Sequence, residues 1–279
     1  MNPNDLLSIS HFAELTGVSR STLIYYDEAG VFHPVERGEN GYRYYSPQQF
    51  IIVNLVRVLS DLQVPLKQIE AIKDCRTPES IFDLLTEQHD VLEEKIKWLK
   101  SSQGVIDTLR ELIRQGLDAD ETRISIERRK SRKIVFGPKT DFGDDDHFYN
   151  AFIESCAYFK EHNWSLSYPI AGWFESLDSF LATPSEPDKF ISLNPAGDKK
   201  TLGGLHVIGY TRGYYGVTND IPKLMTAYLK KHKLIPRGPV YKIYLQDEVS
   251  VVDPDNYLLE TSIPVEDTDA ARRLLKSKK

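Results

Sequence analysis

The sequence predicts an α+β chain with three segments, and three observations support this fold class. Near the amino terminus, two short helical stretches separated by Gly17 precede a hairpin signal. An apolar repeat with a period of 3.5 residues then runs through residues 85–117. After this repeat, a pattern of strand, helix, strand and strand occurs twice. Since single domains usually hold about 100 to 200 residues, we place the boundaries at residues 1–76, 77–119 and 120–279.

The composition is typical of a folded protein, with 41% hydrophobic and 27% charged residues. The amino terminus has no secretory signal pattern, and no stretch approaches the roughly 20 apolar residues of a membrane helix. We therefore expect a cytoplasmic location and no membrane contact. The only cysteines are Cys75 and Cys156, and the seven histidines show no ligand spacing. We expect no metal site and no cofactor.

The charge balance excludes a generic polyanion binder, because the net charge is −6. Residues 1–76 carry 7 Lys and Arg against 9 Asp and Glu, residues 77–119 carry 5 against 9, and residues 120–279 carry 23 of each. No segment is basic overall. Binding to nucleic acid would therefore depend on a few cations placed on one face rather than on bulk charge.

The first segment predicts a helix-turn-helix motif followed by a wing. Ser10 is a candidate cap for a first helix that stops at Gly17, and Ser19 is a candidate cap for the second helix. Two short helices across a Gly-containing turn form this motif. The stretch VERGENGYRYYS follows, and its Glu39-Asn40-Gly41 core predicts a hairpin, which makes the wing.

A recognition helix of this kind presents residues near its amino-terminal end to bases and phosphates, and a wing adds arginine and tyrosine contacts to the DNA backbone. Two interpretations stay open for the tyrosines, since Tyr26 and one wing tyrosine could instead fill the small core. The candidate DNA-binding residues are Ser19, Arg20, Ser21, Thr22, Tyr25, Tyr26, Tyr42, Arg43 and Tyr44.

The second segment predicts one long helix with a coiled-coil seam. Thr77-Pro78 supplies its start and Gly116 its end. A helix of about 40 residues is roughly 60 Å long. The small helical domain that precedes it cannot cover the whole apolar seam, so a second copy of the chain is the expected partner. Packing against its own carboxy-terminal domain is the alternative. The seam positions are Leu85, His89, Leu92, Ile96, Leu99, Gln103, Ile106, Arg110, Ile113 and Leu117.

The third segment predicts two β-α-β-β units that share a sheet, with a groove between their helices. TRISIERRKSRKIVFGP is interpreted as a single first strand. Aromatic side chains in such a groove bind planar, apolar molecules, and a charged group among them selects the ligand charge. Each aromatic residue could equally be part of the core. The candidate ligand-binding residues are Tyr149, Tyr168, Trp173, Phe190, Tyr210, Tyr215, Tyr241, Lys242, Tyr257 and Glu260.

Residues 7–119 resemble the amino-terminal half of the MerR family of bacterial transcription regulators. The resemblance is carried by ISHFAELTGVSRSTLIYYD, GYRYYSPQQ and VPLKQIEAI before the seam helix. It implies a homodimer, held by an antiparallel coiled coil, that binds an operator in double-stranded promoter DNA. With effector bound, it would distort an overlong spacer so that bacterial RNA polymerase can use the promoter. Ile24 stands where the family usually has an arginine, so one phosphate contact is missing or supplied from elsewhere.

Residues 120–279 resemble the GyrI-like effector-binding domain of multidrug-responsive members of that family, through the duplicated strand order, the aromatics and a late YLLE. The resemblance implies a small lipophilic or aromatic effector. Cation-binding relatives carry a carboxylate where this chain has Lys242, so the ligand charge stays open. Two alternatives remain: a hydrolase that uses Glu260 beside Trp173 or Tyr210, and a protein that only sequesters drugs.

Overall fold

The computed structural model describes residues 6–74, 77–142 and 148–276. Two compact units make up the chain, one ending at Ile96 and the other beginning at Lys97. Within the described ranges, no helix is both long enough and apolar enough to span a membrane. Cys75, one of the two cysteines, lies outside the described residues. The three boundaries drawn from the sequence remain a prediction.

The first unit opens with helix α1 (Ile9–Thr16) and helix α2 (Arg20–Glu28). Gly17 separates them in the left-handed conformation, with φ +69°, as the sequence predicts. The Ser19 hydroxyl caps α2 by accepting from the Thr22 amide at 3.0 Å. The cap of α1 is Ser8 rather than Ser10, because Ser8 is extended and accepts from the His11 amide while Ile9 already begins the helix.

The wing is a three-stranded antiparallel sheet in the order β1-β3-β2. Its strands are β1 (Leu7–Ser8), β2 (Glu36–Arg37) and β3 (Arg43–Tyr45), and Arg37 pairs with Arg43 across the hairpin. Gly41 closes the turn with a positive φ and donates its amide to the Gly38 carbonyl at 2.8 Å. The predicted hairpin is therefore present.

Helices α3 (Gln49–Asp61), α4 (Leu66–Asp74) and α5 (Pro78–Leu117) complete the helical part. Their apolar faces and those of α1 and α2 enclose one core, which holds the largest buried side chains of the first unit. The members of this core include Phe12, Leu23, Tyr26, Phe32, Tyr45, Val53, Val56 and Leu59.

Helix α5 begins and ends where the sequence predicts. Thr77 and Ser80 cap it reciprocally, because each hydroxyl accepts the amide proton of the other residue. Several apolar residues of the predicted seam are between 43% and 71% exposed, which shows that the described part of the chain leaves them uncovered: Leu85, Ile96, Leu99, Ile106 and Leu117.

The second unit is an eight-stranded antiparallel sheet in the order β4-β9-β11-β10-β6-β7-β5-β8. Four helices and a 3₁₀ turn at Pro254–Asn256 accompany it. The strands are β4 (Ser125–Arg129), β5 (Lys133–Lys139), β6 (Ile170–Phe174), β7 (Lys189–Ser192), β8 (Lys199–Lys200), β9 (Gly204–Arg212), β10 (Val240–Gln246) and β11 (Leu258–Val265). The helices are α6 (Phe148–Glu161), α7 (Leu177–Ala182), α8 (Ile221–His232) and α9 (Asp269–Lys276).

The strand order confirms the predicted duplication. In one half β7 lies between β5 and β6, in the other β11 lies between β9 and β10, and β6 pairs with β10 at the junction. One prediction is wrong: the stretch at residues 122–138 contains two strands, β4 and β5, instead of one. The chain bends at Ser131 because its hydroxyl donates to the Thr201 carbonyl, while the Arg132 amide donates to the Thr201 hydroxyl.

The two faces of this sheet are covered by different elements. Helix α8 packs on one face through Ile221, Met225 and Leu229. The other face carries a core that includes Tyr241 and also Leu112, from the last turns of α5. Because successive residues of a strand point to opposite faces, each strand contributes to both layers.

Candidate nucleic-acid interface and ligand cavity

The amino-terminal turn of α2 leaves several predicted residues exposed. Arg20, Ser21 and Tyr25 are accessible, and 54% of Tyr25 is exposed. The Ser19 hydroxyl is within 2.8 Å of the Ser21 hydroxyl and 2.7 Å of the Thr22 hydroxyl. These hydroxyls thus form a local network at the helix start, where backbone amides favour an anion such as a phosphate.

The wing tip presents a second exposed tyrosine. Tyr42 is 62% exposed, and its amide donates to the Asn40 side-chain oxygen at 3.1 Å, which fixes the turn. Arg43 and Tyr44 are half-buried on the following strand. The wing thus offers Tyr42 to a partner, with Tyr44 partly accessible beside it.

Asp27 is the residue that joins the wing to α2. Its side chain is 0% exposed, and its carboxylate accepts from Arg37 Nη2 at 2.5 Å and Arg43 Nε at 2.6 Å. His33 Nδ1 lies 2.9 Å from the other carboxylate oxygen. Burial alone raises the pKa of Asp27, but the hydrogen bonds from His33 and Arg43 and the two arginine charges lower it further than burial raises it.

This ion cluster, defined as Asp27, His33, Arg37 and Arg43, changes the role expected of Arg43. The sequence predicts Arg43 as a phosphate ligand, yet its Nε is committed to Asp27 and only 20% of its side chain is exposed. We therefore assign Arg43 first to holding the wing against α2. Sequence reasoning missed Asp27, because nothing in its local pattern shows that residues 10 and 16 positions later fold onto it.

The structure places Tyr26 in the core of the first unit, where it is 3% exposed, so we no longer offer it as a DNA contact. It lies one helical turn from Leu23, on the inward face of α2. Tyr45 is also buried, with its ring stacked 4.6 Å from Phe12, and burial raises the pKa of its hydroxyl to about 12. Burial therefore favours a packing role over a DNA contact for both Tyr26 and Tyr45.

A cavity of about 330 Å³ lies in the second unit, between the start of α6, strands β6 and β10, and the loop around residues 214–216. This volume falls in the range of about 300 to 1,000 Å³ usual for small-molecule sites. Helix α8 contributes none of the described lining residues, so the cavity is not the predicted groove between two helices. Five predicted residues line it: Tyr149, Phe190, Tyr215, Lys242 and Tyr257.

The cavity walls are mainly aromatic. The Phe148 ring stacks on Tyr215 at 6.2 Å between centroids and meets Phe190 edge-on at 5.5 Å. Tyr215 in turn meets Tyr244 and Tyr257 edge-on, at 4.7 Å and 5.8 Å. Offset and edge-to-face rings of this kind form flat apolar walls suited to a planar guest.

Sequence reasoning missed several wall residues: Phe152, Tyr214, Tyr244 and Glu248. Tyr244 could have been found by strand alternation, since it lies two residues after Lys242 on β10 and so shares its face. The Tyr215 hydroxyl is 2.5 Å from the Glu248 carboxylate, and burial together with that hydrogen bond raises the pKa of Tyr215.

Lys242 is the buried charged group of the cavity wall. Only 6% of it is exposed, and its ammonium donates to the Pro184 carbonyl at 3.0 Å. Burial lowers the pKa of Lys242 to about 7, because the apolar surroundings disfavour the charged form. Within the described residues, the ion pairs of the chain do not include Lys242.

The structure does not bring the other five predicted ligand residues to this cavity. On β10 and β6, Tyr241 and Trp173 point away from it because they alternate with Lys242 and Gly172, which face it. The remaining residues also lie on the side of the sheet that faces the end of α5. The full set outside the cavity is Tyr168, Trp173, Tyr210, Tyr241 and Glu260.

Glu260 forms a buried ion pair instead of a ligand contact. Arg129 Nη2 lies 2.5 Å from Glu260 Oε2 and 3.4 Å from the Tyr210 hydroxyl. Burial raises the pKa of Glu260, and the Arg129 charge lowers it in part. A second arginine contact, from Arg129 Nη1 to Glu127 at 2.8 Å, completes the cluster. Glu260 is thus occupied by a cation of its own chain.

Comparisons with known proteins agree with the first unit. Residues 8–45 match the family model described as MerR family regulatory protein. This chain is 34% identical to the transcriptional regulator BrlR of Pseudomonas aeruginosa over 95 residues. The match covers 33% of this chain and 35% of that protein.

Two relatives match along most of the chain. The multidrug-efflux transporter 2 regulator of Bacillus subtilis is 27% identical over 251 residues, which cover 88% of this chain and 91% of that protein. The multidrug-efflux transporter 1 regulator of the same organism is 24% identical over 274 residues, which cover 92% of this chain and 97% of that protein. This chain belongs to the MerR family of DNA-binding transcription regulators.

Proposed function

We propose that the chain binds promoter DNA in the cytoplasm as a homodimer and changes transcription when a small lipophilic or aromatic effector enters the cavity. The observation that carries the DNA-binding part is the exposure of Arg20, Ser21 and Tyr25 at the start of α2, beside a wing tied to the same helix by Asp27. A chain of net charge −6 needs such local placement, because its bulk charge repels DNA.

The proposed homodimer rests on the exposed side of α5. Leu99 and Ile106, both seam residues, are each 57% exposed, and apolar side chains at a 3.5-residue spacing are the pattern that a second helix covers. A dimer also gives DNA binding two copies of α2 and the wing, which suits an operator built as an inverted repeat. The family resemblance implies an antiparallel pairing of these helices.

The effector part of the proposal rests on the aromatic cavity and on the two Bacillus relatives, which are regulators of multidrug-efflux transporters. Effector binding would shift the balance between two arrangements of the dimer on DNA. One arrangement would distort the promoter spacer so that bacterial RNA polymerase can use it. For this shift the effector must bind one arrangement more tightly than the other, by about 5.5 kcal/mol for a change from 1:99 to 99:1.

The test is footprinting on the DNA upstream of the gene that encodes this chain, followed by Arg20→Ala. We expect a protected inverted repeat, and binding weaker by at least about tenfold for each copy of Arg20 in the dimer, since a charge-assisted contact contributes about 1.5 to 3 kcal/mol. The slope of log affinity against log salt should also fall by about 1.8, which is about 0.9 for each of the two Arg20 copies in the dimer, if each copy contacts one phosphate.

Lys223→Ala is the matched control, because it removes an exposed cation from α8 in the other unit. Wild-type binding no tighter than to a random duplex, or equal losses in the two variants, would contradict the proposed interface.

The hydrolase alternative loses its proposed carboxylate, because Glu260 pairs with Arg129 and lies outside the cavity. We infer that the domain binds its effector without converting it. Recovery of an unchanged compound after prolonged incubation is the expected result, and turnover that disappears in Glu260→Gln would reverse this conclusion. A purely sequestering protein would bind the compound with no change in DNA binding, which the footprinting assay detects when the compound is added.

A further inference from the structure

We propose that the cavity selects aromatic molecules that carry an anionic group, with the Lys242 ammonium as its counter-charge. The inference deepens the proposed effector function and rests on the same cavity, but it concerns binding alone. It can therefore be tested without DNA.

The placement of Lys242 is the first argument. The residue lies at one end of the junction between the two halves of the sheet, where it pairs with Gly172 of β6 on one side and Thr261 of β11 on the other. Gly172 and Pro187 pack closely against its stem, since a Cβ at Gly172 would lie 3.5 Å from the Lys242 Cβ and 3.2 Å from the Pro187 Cβ. Lys242 thus lines the cavity with the base of its side chain held in place by close neighbours.

The hydrogen bonds of Lys242 are incomplete. An ammonium carries three donors, and the contact within the described chain is the one with the Pro184 carbonyl at 3.0 Å. A buried charge without an opposite charge is costly, which is why burial lowers the pKa of Lys242 to about 7. An anionic ligand would supply both the missing charge and the missing acceptors.

Among the residues that the structure describes, the acidic groups of the cavity lining and of the segment over Lys242 are engaged elsewhere or face solvent. Glu248 lines the cavity but is exposed and accepts from the Tyr215 hydroxyl. On the segment that covers Lys242, Asp188 accepts from the Ser179 hydroxyl at 2.6 Å and from the Glu175 amide at 2.7 Å, and Glu186 is exposed. Of the two charged side chains in the described lining, Lys242 is therefore the buried one and the Glu248 carboxylate is exposed.

The aromatic walls define the rest of the ligand. Phe148, Tyr215 and Tyr257 present rings around a volume of about 330 Å³, which accepts a fused aromatic body better than a flexible chain because planar surfaces stack. The tyrosine hydroxyls stay protonated near neutral pH, since burial raises the pKa of Tyr215, Tyr244 and Tyr257. They add no negative charge that would oppose an anion.

The test compares three probes of similar shape: 2-naphthoate, the neutral 2-naphthamide and the cationic 2-naphthylmethylammonium. Affinities are measured by calorimetry with the full chain at pH 6.5. We expect 2-naphthoate to bind at least about tenfold more tightly than either other probe, because hydrogen bonds to charged groups contribute about 1.5 to 3 kcal/mol. Equal affinities, or a preference for the ammonium probe, would overturn the proposal.

Two substitutions locate the effect at Lys242. Lys242→Met keeps an unbranched side chain, so it should retain the fold and the binding of 2-naphthamide while losing the preference for 2-naphthoate. Lys242→Glu should reverse the preference toward the ammonium probe. Lys189→Met is the matched control on the opposite face of the sheet, where Lys189 Nζ lies 5.4 Å from the centre of the Phe136 ring, and it should leave all three affinities unchanged. A loss of preference in the control alone would contradict the assignment.

The pH dependence gives an independent measurement on the wild-type chain. Because Lys242 must be charged to pair with an anion, 2-naphthoate affinity should fall by up to about tenfold per pH unit as the pH rises above about 7. Binding in that range should also take up close to one proton, seen as a heat that depends on the ionisation enthalpy of the buffer. A flat profile from pH 6.5 to 9 would refute the role of Lys242.

The outcomes separate this inference from the proposed function. If 2-naphthoate is preferred but changes no DNA complex, the charge assignment stands and the regulatory proposal needs another effector. If all three probes bind equally and still change the DNA complex, the regulator stands and the charge assignment fails.

Discussion

Asp27→Asn is the perturbation that most directly tests how the wing is held against α2. The substitution keeps the shape of the side chain but removes its charge, and the amide can accept at only one of its two positions. In the native chain both carboxylate oxygens are used, one by Arg37 and Arg43 and the other by His33. The variant therefore leaves two arginines without their counter-charge.

The exposed fractions of the partners set the expected magnitude. Breaking a fully buried ion pair costs about 3 to 5 kcal/mol, while an exposed pair contributes about 0 to 1 kcal/mol. Asp27 is 0% exposed and Arg43 is 20% exposed, whereas Arg37 is 55% exposed. The main loss thus comes from the Arg43 contact, and we expect Asp27→Asn to lower the free energy of unfolding of the first unit by about 2 to 3 kcal/mol.

The assay exploits the positions of the tryptophans. All three, Trp98, Trp164 and Trp173, lie after Ile96 and report on the second unit. Urea unfolding followed by far-ultraviolet circular dichroism reports on both units, whereas tryptophan fluorescence reports on the second. Asp27→Asn should lower the urea midpoint of the first unit, which is seen in the dichroism but not in the fluorescence. The fluorescence midpoint, which reports on the second unit, should stay unchanged.

Arg37→Gln is the matched control for this experiment, because it removes the more exposed of the two arginines. We expect it to cost less than about 1 kcal/mol. A loss below about 0.5 kcal/mol in Asp27→Asn, or a loss equal to that of Arg37→Gln, would show that the cluster is solvated and does not fix the wing. The assignment of Arg43 to holding the wing against α2 would then be wrong as well.

Three further predictions follow from buried or exposed groups. Burial lowers the pKa of His206 to about 4, so the native chain should lose up to about 3 kcal/mol as the pH falls from 6.5 to 4, and His206→Gln should flatten urea midpoints over that range. Arg129→Met should lower the melting temperature by leaving Glu260 buried without its cation, and the added change Glu260→Leu should restore most of it. Ile106→Glu should convert a dimer to a monomer in sedimentation, while the exposed Lys223→Glu should not.

Local signals predicted most elements of the first unit, because its helices are set by residues close in sequence. Gly17, Ser19 and Thr77-Pro78 mark turns and caps where the structure has them. The ion cluster was missed for the opposite reason. Asp27 and Arg43 are 16 residues apart, and only the folding of the wing onto α2 brings them within 2.6 Å.

The aromatic candidates show a different limit of sequence reasoning. Residue type alone put Tyr241 and Lys242 in one binding set, although neighbours on a strand must point to opposite faces. Once β10 is identified as a strand, alternation separates Lys242 and Tyr244 from Tyr241. Which of the two faces holds the cavity could not be predicted, because that depends on the distant α6 packing over β6 and β10.

The same alternation suggests how a ligand could act on the rest of the second unit. A ligand that draws Lys242 away from the Pro184 carbonyl pulls on β10, and the preceding residue of that strand, Tyr241, belongs to the core that contains Leu112 of α5. Tyr168 also packs closely against α5. Its hydroxyl donates to the Ser101 carbonyl at 3.1 Å, and a Cβ added at Gly104 would lie 2.6 Å from the same hydroxyl oxygen.

Such tight packing transmits small displacements, because a close-packed interior has little free space to absorb them. The last turns of α5, from residue 97 onward, carry part of the exposed seam, including Leu99 and Ile106. One sheet layer thus separates the cavity from the helix that we propose as the dimer contact. Strand β10 and that helix share one core, through Tyr241 and Leu112, so a displacement of β10 would reach the helix directly.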